Sequence, residues 1–547
     1  MNEYVIHGLR ISKKVALLTA LFSILAVGLF LRTYHFHDWL EFKGDQSRDA
    51  SLVQGVVENG AVWPLLGPAM GNYSTDNGTH FKVGPIYYYF QILSAKIFGM
   101  KAEAMAYPDV FFGILSIPLL FFFFKKLFDD SVSLALTGLY AVSFFAVRFS
   151  RFAWNSNLIP FFVLLFLLSL YEFKIKGEQA RWRWVVLLGT ALGVGIQLHV
   201  ILLILFSSFF LLVSVHMLVR QRGVWKRLLV VCVIAAALNI GQIRSEAETG
   251  FANMGIFLNY FAQSEAVDGQ ASVNRGYGPI NDIGCHIEAN SYMISSFGQD
   301  SCAYYYDSLL FGRTLKDFKS RIFMPSLFAG LAFSIFGYVM LAYRFLREKD
   351  RDKRMWIRFV VSYLGLSLLI MLPIVGEKLE LRYFSFAFFV PFMFLGFLTE
   401  YAIGLHKKWG WAIVSLVFLI LLASNAKAYS SIIEELQAQK RIYSHSVVLG
   451  EIEPIVKYLI DHSGGQTDIY LGGDYKIMDY SFQPLSYLIA EQGKNLIWVD
   501  DTDIGTFSRS GAPVFYVNNE LDSENNTEYE KIGQKTYVYT VMANSAR

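Results

Sequence analysis

The run Lys13-Lys-Val-Ala-Leu-Leu-Thr-Ala-Leu-Phe-Ser-Ile-Leu-Ala-Val-Gly-Leu-Phe-Leu31 decides the fold class. From Val15 to Leu31 it carries no charge, and crossing the hydrocarbon core of a bilayer takes roughly 20 mainly apolar residues. It is entered through two lysines, outruns the apolar centre of a signal peptide and has no A-x-A-like cleavage site, so it reads as a retained membrane helix. The composition repeats the message along all 547 residues: 54% are hydrophobic and 17% charged, with 48 Phe and 31 Tyr. Disorder and an ordinary water-soluble globule are both excluded. With 48 basic against 45 acidic residues the net charge is +3, which offers no general field for nucleic acid. Three cysteines supply neither a disulfide scaffold nor an all-cysteine zinc site.

Further apolar runs lie at about 107–124, 130–147, 157–173, 184–199, 200–219, 228–243, 323–342, 355–375, 382–402 and 410–428, predicting roughly eleven spans. Lys and Arg beside span ends stay on the cytoplasmic side. With the N-terminus inside, the inner connections hold Lys125/Lys126, Lys174/Lys176/Arg181/Arg183, Arg220/Arg222/Lys226/Arg227, the basic cluster from Arg344 to Arg354, and Lys407/Lys408. Every second connection is basic. The outward segments are then about 32–106, 148–156, 244–322, 376–381 and everything after about 429.

The first outward segment contains a second apolar stretch, Ile86–Phe98, too short to span. Its Tyr87-Tyr-Tyr-Phe90 run suits the membrane interface, so it reads as a juxtamembrane helix on the outer surface. Beyond about Tyr429, amphipathic stretches (Glu453–His462, Pro484–Gln492) alternate with short strand-like runs at 468–471, 496–499, 513–517 and 536–540. The expectation is a polytopic membrane domain over 1–430, with outer loops 32–106 and 244–322, and a small extracytoplasmic α/β domain over 431–547.

Chemistry gathers outside. Asp45-Gln-Ser-Arg48-Asp49-Ala starts a helix and sets two carboxylates four residues apart on one face. Such a pair fits a catalytic base or a divalent cation; it equally fits helix capping. His80 and Lys82 stand before the Gly84-Pro85 turn, as ligands or as solvated loop residues. Arg148 and Arg151 occupy a short outer turn, against the prevailing charge asymmetry, and call for an anionic partner. Glu377-Lys378-Leu-Glu380-Leu-Arg382-Tyr383 crowds another outer turn, where ligand contacts or mutual pairing both fit. Cys285 and Cys302 share the long outer loop, and an oxidising location predicts a disulfide closing it. Tyr260, Tyr277 and Tyr304-Tyr-Tyr306 in that loop suit either a stacking site or a packed lid.

Taken in order, these residues resemble the GT-C class of polyprenyl-phosphate-sugar-dependent glycosyltransferases, nearest the bacterial group related to protein O-mannosyltransferases and aminoarabinose transferases. The likeness rests on Asp45-Gln-Ser-Arg48-Asp49-Ala, the Gly84-Pro-Ile-Tyr-Tyr-Tyr89 helix, Arg151-x-x-x-Asn155 and Arg382-Tyr383. It implies Asp45 as catalytic carboxylate, with Asp49 in support. It implies substrate contacts from Arg48, His80, Lys82, Tyr88, Arg151, Asn155, Lys378, Arg382 and Tyr383, and a donor that is a sugar on a polyprenyl phosphate. The acceptor is a lipid, a glycan or a protein. Three departures stand out: Gln46 where relatives often have an acid, Gly84 where they have Lys or His, and Asn155 where they have Asp. No cofactor is required; the carboxylates and imidazole leave room for a divalent metal.

The competing class is a lipid or small-solute transporter. A transporter places ionisable groups at mid-membrane and often shows repeated halves. Here no repeat is visible, and Gln197 and His199 read as the polar exceptions within the spans.

Overall fold

Helix is the one open secondary structure that satisfies its own backbone inside hydrocarbon, so each apolar run becomes helical. A computed structural model describes residues 3–6, 9–74, 80–267, 279–296, 323–371, 381–438, 447–473, 475–499, 514–518, 529–532 and 536–541. Among the described residues seven helices are long and apolar enough to cross a membrane. These include α1 (Lys13–Thr33), α4 (Ala102–Phe124), α7 (Ile159–Lys176), α9 (Val200–Arg220) and α17 (Lys407–Gln437). An eighth span is broken: α10 (Trp225–Leu238) and α11 (Ile240–Thr249) meet at 69°. Three shorter apolar helices, α5 (Asp130–Val142), α8 (Trp182–Leu198) and α16 (Val390–Leu405), occupy the remaining predicted positions. The polytopic helical fold expected from the sequence is therefore present.

Small residues let backbones approach where hydrophobicity cannot drive association. A Cβ on Gly193 of α8 would lie 2.9 Å from the Cα of Ala235 in α10. Elsewhere the bundle is cemented by aromatic rings, with Phe166 and Phe206 stacked at 4.0 Å and Trp356 edge-on to Tyr171 at 4.6 Å.

Three short helices gather where α1 and α17 end: α2 (Gly44–Val57), α3 (Ile86–Phe98) and α6 (Phe144–Arg148). Helix α3 has the bounds of the predicted juxtamembrane helix and is not among the helices long enough to span. Across this end lies the C-terminal sheet, order β6-β5-β7-β9-β8, built from Asp468–Gly473 (β5), Asn495–Trp498 (β6), Val514–Asn518 (β7), Tyr529–Ile532 (β8) and Thr536–Val541 (β9). β6, β5 and β7 run parallel, as strands joined through helices do, and β9 and β8 close the sheet antiparallel. Helices α18 (Leu449–His462) and α20 (Phe482–Ala490) cover it. Its hydrophobic core is continuous with the membrane-level layer: Phe42, Ala50 and Val53 are buried in one cluster with Ile452, Leu485 and Phe515. The Phe42 amide donates to the Val447 carbonyl at 2.9 Å, and His37 stands between Glu103 of α4 and Glu453 of α18 at 2.8 and 2.9 Å. Two hairpins, at Glu3–Ser12 and at Ala69–Lys82, are features the sequence reading passed over.

Candidate active site

Helix α2 starts with Gln46 reaching back over its first turn. The Lys43 amide donates to Gln46 Oε1 at 3.1 Å, while Gln46 Nε2 donates to the Ala153 carbonyl at 2.7 Å. A Glu at position 46 accepts from Lys43 equally well but cannot donate to Ala153, which accounts for the amide in place of an acid. Burial then follows helical spacing: Gln46, Asp49, Ala50, Val53 and Val56 turn inward. Asp45 turns outward, its side chain 60% exposed.

Arg48 joins the two carboxylates. It donates from Nη1 to Asp45 Oδ1 at 2.8 Å, and from Nη2 and Nε to Asp49 Oδ1 at 2.8 and 3.0 Å. The Tyr88 hydroxyl adds a third bond to the same Asp49 oxygen at 2.9 Å. Burial pushes the Asp49 carboxyl up, with Arg48 and Tyr88 pulling against it. Burial also works against Arg48, but the two carboxylates win and hold its guanidinium charged. Asp49 is thus a buried group held by three bonds to one oxygen, and Asp45 is the solvent-facing one.

Tyr88 is placed by its neighbour. The Tyr87 hydroxyl donates to Asp109 Oδ2 at 2.8 Å; Asp109, fully buried in α4, also accepts from the Trp154 amide at 3.1 Å. Adjacent tyrosines of α3 therefore grip carboxylates on two different helices. The first amide of α3, that of Ile86, donates to Gln197 Oε1 at 3.2 Å. Gln197 is itself tied to the Gly193 and Leu238 carbonyls at 2.8 and 2.9 Å. A Cβ on Gly84 would come 2.3 Å from Gln197 Oε1, so a lysine or histidine at this position has no room.

The other predicted site residues divide. His80 and Lys82 are exposed on the strand β4 (His80–Lys82); Asn253 clamps the Lys82 backbone by bonds of 2.8 and 2.9 Å, leaving the ammonium outward. Arg151 donates to the carbonyls of Leu31 and Tyr34, both at 2.7 Å, and of His35 at 3.3 Å, where α1 ends. Burial lowers Arg151 to about 10, and its neighbour Arg32 adds to the effect. Asn155 is buried and donates to the Leu198 carbonyl at 2.6 Å, a structural bond. Tyr383 lines a small pocket with His199 and Trp154. Lys378 and the Arg382 side chain lie outside the described residues. Cys285 is disulfide-bonded and Cys232 free; Cys302, the predicted partner, also lies outside them, as do Tyr277 and Tyr304–Tyr306. Among the described residues no three His, Cys, Asp or Glu side chains are grouped to hold a metal.

Sequence reading missed Asp109, Tyr87 and Glu41. Asp109 had a signal: an acid within a predicted span, overlooked when Gln197 and His199 were taken as its polar exceptions. Glu41 is buried, with Lys43 Nζ at 2.9 Å and Arg148 Nε at 3.2 Å, and no local spacing links it to Arg148.

A family model described as dolichyl-phosphate-mannose-protein mannosyltransferase matches residues 82–240. That segment carries α3, Asp109 and the Arg151 turn. Among solved structures, the oligosaccharyltransferase AglB from Archaeoglobus fulgidus, in complex with an inhibitory peptide and a dolichol-phosphate, matches at 14% identity and a TM-score of 0.50. The alignment covers 93% of this chain and 70% of that one. The fold is that of the GT-C class. ArnT from Cupriavidus metallidurans bound to undecaprenyl phosphate aligns over 97% of this chain and 98% of its own at 14% identity, with a TM-score of 0.42. No curated protein matches significantly. The resemblance read from the sequence thus has the fold and the family segment behind it, and the chain is a multi-pass membrane protein.

Proposed function

We propose that this GT-C protein moves a sugar from a polyprenyl-phosphate carrier to an acceptor hydroxyl, with Asp45 as the base. One observation carries the reading. Of two carboxylates sharing one arginine, Asp49 is buried and held by three hydrogen bonds to Oδ1, whereas Asp45 is 60% exposed and bonded to Arg48. Only an accessible carboxylate can take a proton from an incoming hydroxyl. Arg48, oriented from behind by Asp49 and Tyr88, is the cation nearest that point; Lys82 is a second, mobile one for the phosphate.

The donor already carries a good leaving group. Asp45 takes the hydroxyl proton, the acceptor oxygen bonds to the anomeric carbon, and the bond to the carrier phosphate breaks with its electron pair leaving on phosphate oxygen. A single displacement inverts the anomeric centre. The positive-inside asymmetry of the connections supports a cytoplasmic N-terminus, with α2, α3 and the C-terminal domain on the extracytoplasmic face. Helix α20 packs so close to α2 that a Cβ on Gly44 would meet Gln483 Oε1 at 2.4 Å, which suits the C-terminal domain to acceptor recognition. A lipid, glycan or protein acceptor is compatible with that roof.

The test is incubation of the purified protein with a panel of polyprenyl-phosphate sugars and analysis of released or transferred sugar, including its anomeric configuration. Transfer with inversion is expected. Absence of turnover across the panel, together with uphill solute uptake into proteoliposomes, would replace the reading with transport.

A further inference from the structure

A cavity of about 550 Å³ lies where α1, α6 and the last turns of α17 meet, on the same face as the α2 site. Its wall is apolar, from Phe30, Phe144, Val147, Ile432, Ile433 and Leu436. Phe30 and Tyr34 at its edge are 57% and 44% exposed on the bundle surface, so the chamber opens sideways, toward where bilayer lies. The volume falls in the range of small-molecule sites, roughly 300–1,000 Å³.

The rim has a specific charge character. Arg148 is engaged by the buried Glu41. Arg151, also on the rim, donates to carbonyl oxygens and, among the described residues, to no carboxylate. A guanidinium has five N–H donors, so the carbonyl bonds leave capacity over. Arg32, close enough to Arg151 to act on its charge, is fully buried, and its Nε and Nη2 have no hydrogen-bond partner among the described residues. Arg151, on the rim of an apolar chamber at the membrane boundary and bonded to no acid among the described residues, calls for an anion attached to a hydrocarbon chain.

We propose that this cavity holds an anionic phospholipid from the surrounding leaflet, its acyl chain among Phe144, Val147 and Ile433 and its phosphate on Arg151. The lipid is distinct from the sugar donor. Glu41, held by Lys43 and Arg148 and bridged in backbone register to Val448, lies on the rim between Arg151 and the start of α2. A carboxylate there keeps a phosphate on the Arg151 side. Seated in this way, the lipid fixes α1 against α17, the two helices whose ends carry the first loop and the C-terminal domain.

Native mass spectrometry of the detergent-solubilised protein provides the test, with phosphatidylglycerol and phosphatidylcholine of matched chains as probes. One phosphatidylglycerol is expected to stay bound under activation that strips phosphatidylcholine. Arg151→Gln is expected to weaken that binding roughly tenfold, and Val147→Trp, which fills the chamber, to abolish it. Because either change could disturb folding, Ile433→Trp on the opposite wall serves as an independent block, with melting temperature and monodispersity checked for all three. Equal retention of the two lipids, or retention of phosphatidylglycerol in both tryptophan variants, would overturn the proposal. So would stoichiometric displacement by undecaprenyl phosphate, which would make the chamber the donor site.

Discussion

Replacing Tyr88 by Phe removes one oxygen from a side chain that is 3% exposed and leaves the ring's volume in place, so the change reads a hydrogen bond and little else. The lost bond is 2.9 Å to Asp49 Oδ1, the oxygen that also accepts Arg48 Nη2 at 2.8 Å and Nε at 3.0 Å. A hydrogen bond to a charged group contributes roughly 1.5–3 kcal/mol. Asp49 keeps both guanidinium bonds, which sets the expected loss near the lower end, about 1.5–2 kcal/mol. For domains of about 150–250 residues each kcal/mol corresponds to roughly 2–4 °C, giving a fall of some 3–8 °C in Tm. Turnover should also drop, by up to roughly tenfold, the rate equivalent of about 1.4 kcal/mol, because Arg48 loses the fixed anchor that aims it. Melting followed by intrinsic fluorescence in nanodiscs and initial rates on the same preparation measure both. Tyr87→Phe is the control: it breaks the bond to buried Asp109 and should lower Tm at least as much while sparing the Arg48 geometry. A Tyr88→Phe protein with unchanged Tm and unchanged turnover would refute the reasoning.

Gly84→Ala should destabilise by about 1–3 kcal/mol through the clash with Gln197, and pairing it with Gln197→Ala should recover part of that loss in a thermal melt. Gln46→Glu should lower Tm by removing the donor to the Ala153 carbonyl and setting two oxygens face to face, while Gln46→Ala loses the bond without the repulsion and should melt higher than Gln46→Glu. His37 is held above its usual pKa, its partial burial being outweighed by the hydrogen bonds it donates to Glu103 and Glu453 and by their charges. The stability it adds is therefore complete below the unfolded-state value near 6.5 and fades as pH rises through the raised folded value. Melting curves from about pH 6 to 9 should show that decline in wild type and a smaller one in His37→Gln.

The spans were legible because an uninterrupted apolar run of the right length has few ways to fold, and Ile86–Phe98 was placed to the residue by the same length rule read in reverse. The Asp45–Arg48–Asp49 cluster was visible because helical spacing fixes local neighbours. What escaped was contact across the sequence. Tyr88 meets Asp49 from 39 positions away, and Glu41 meets Arg148 from 107 away, and no periodicity signals either. The split of roles between Asp45 and Asp49 was likewise hidden, since it depends on which face of α2 the C-terminal domain and α3 cover. The bonds of Asn155 to the Leu198 carbonyl and of Arg151 to the Leu31 carbonyl likewise join positions 43 and 120 apart that no spacing signals. Strand β8 has a charged pair at its centre, Glu530-Lys531, and lacks the β-branched run that marks the other strands.

The account stands on Asp45 being the group that takes the acceptor's proton. Single-turnover transfer from a polyprenyl-phosphate sugar, compared between wild type and Asp45→Asn at matched folding and matched donor binding, measures that directly. A rate reduced by roughly 10²–10⁴ with donor affinity retained is the expected result. Full turnover by Asp45→Asn would contradict it.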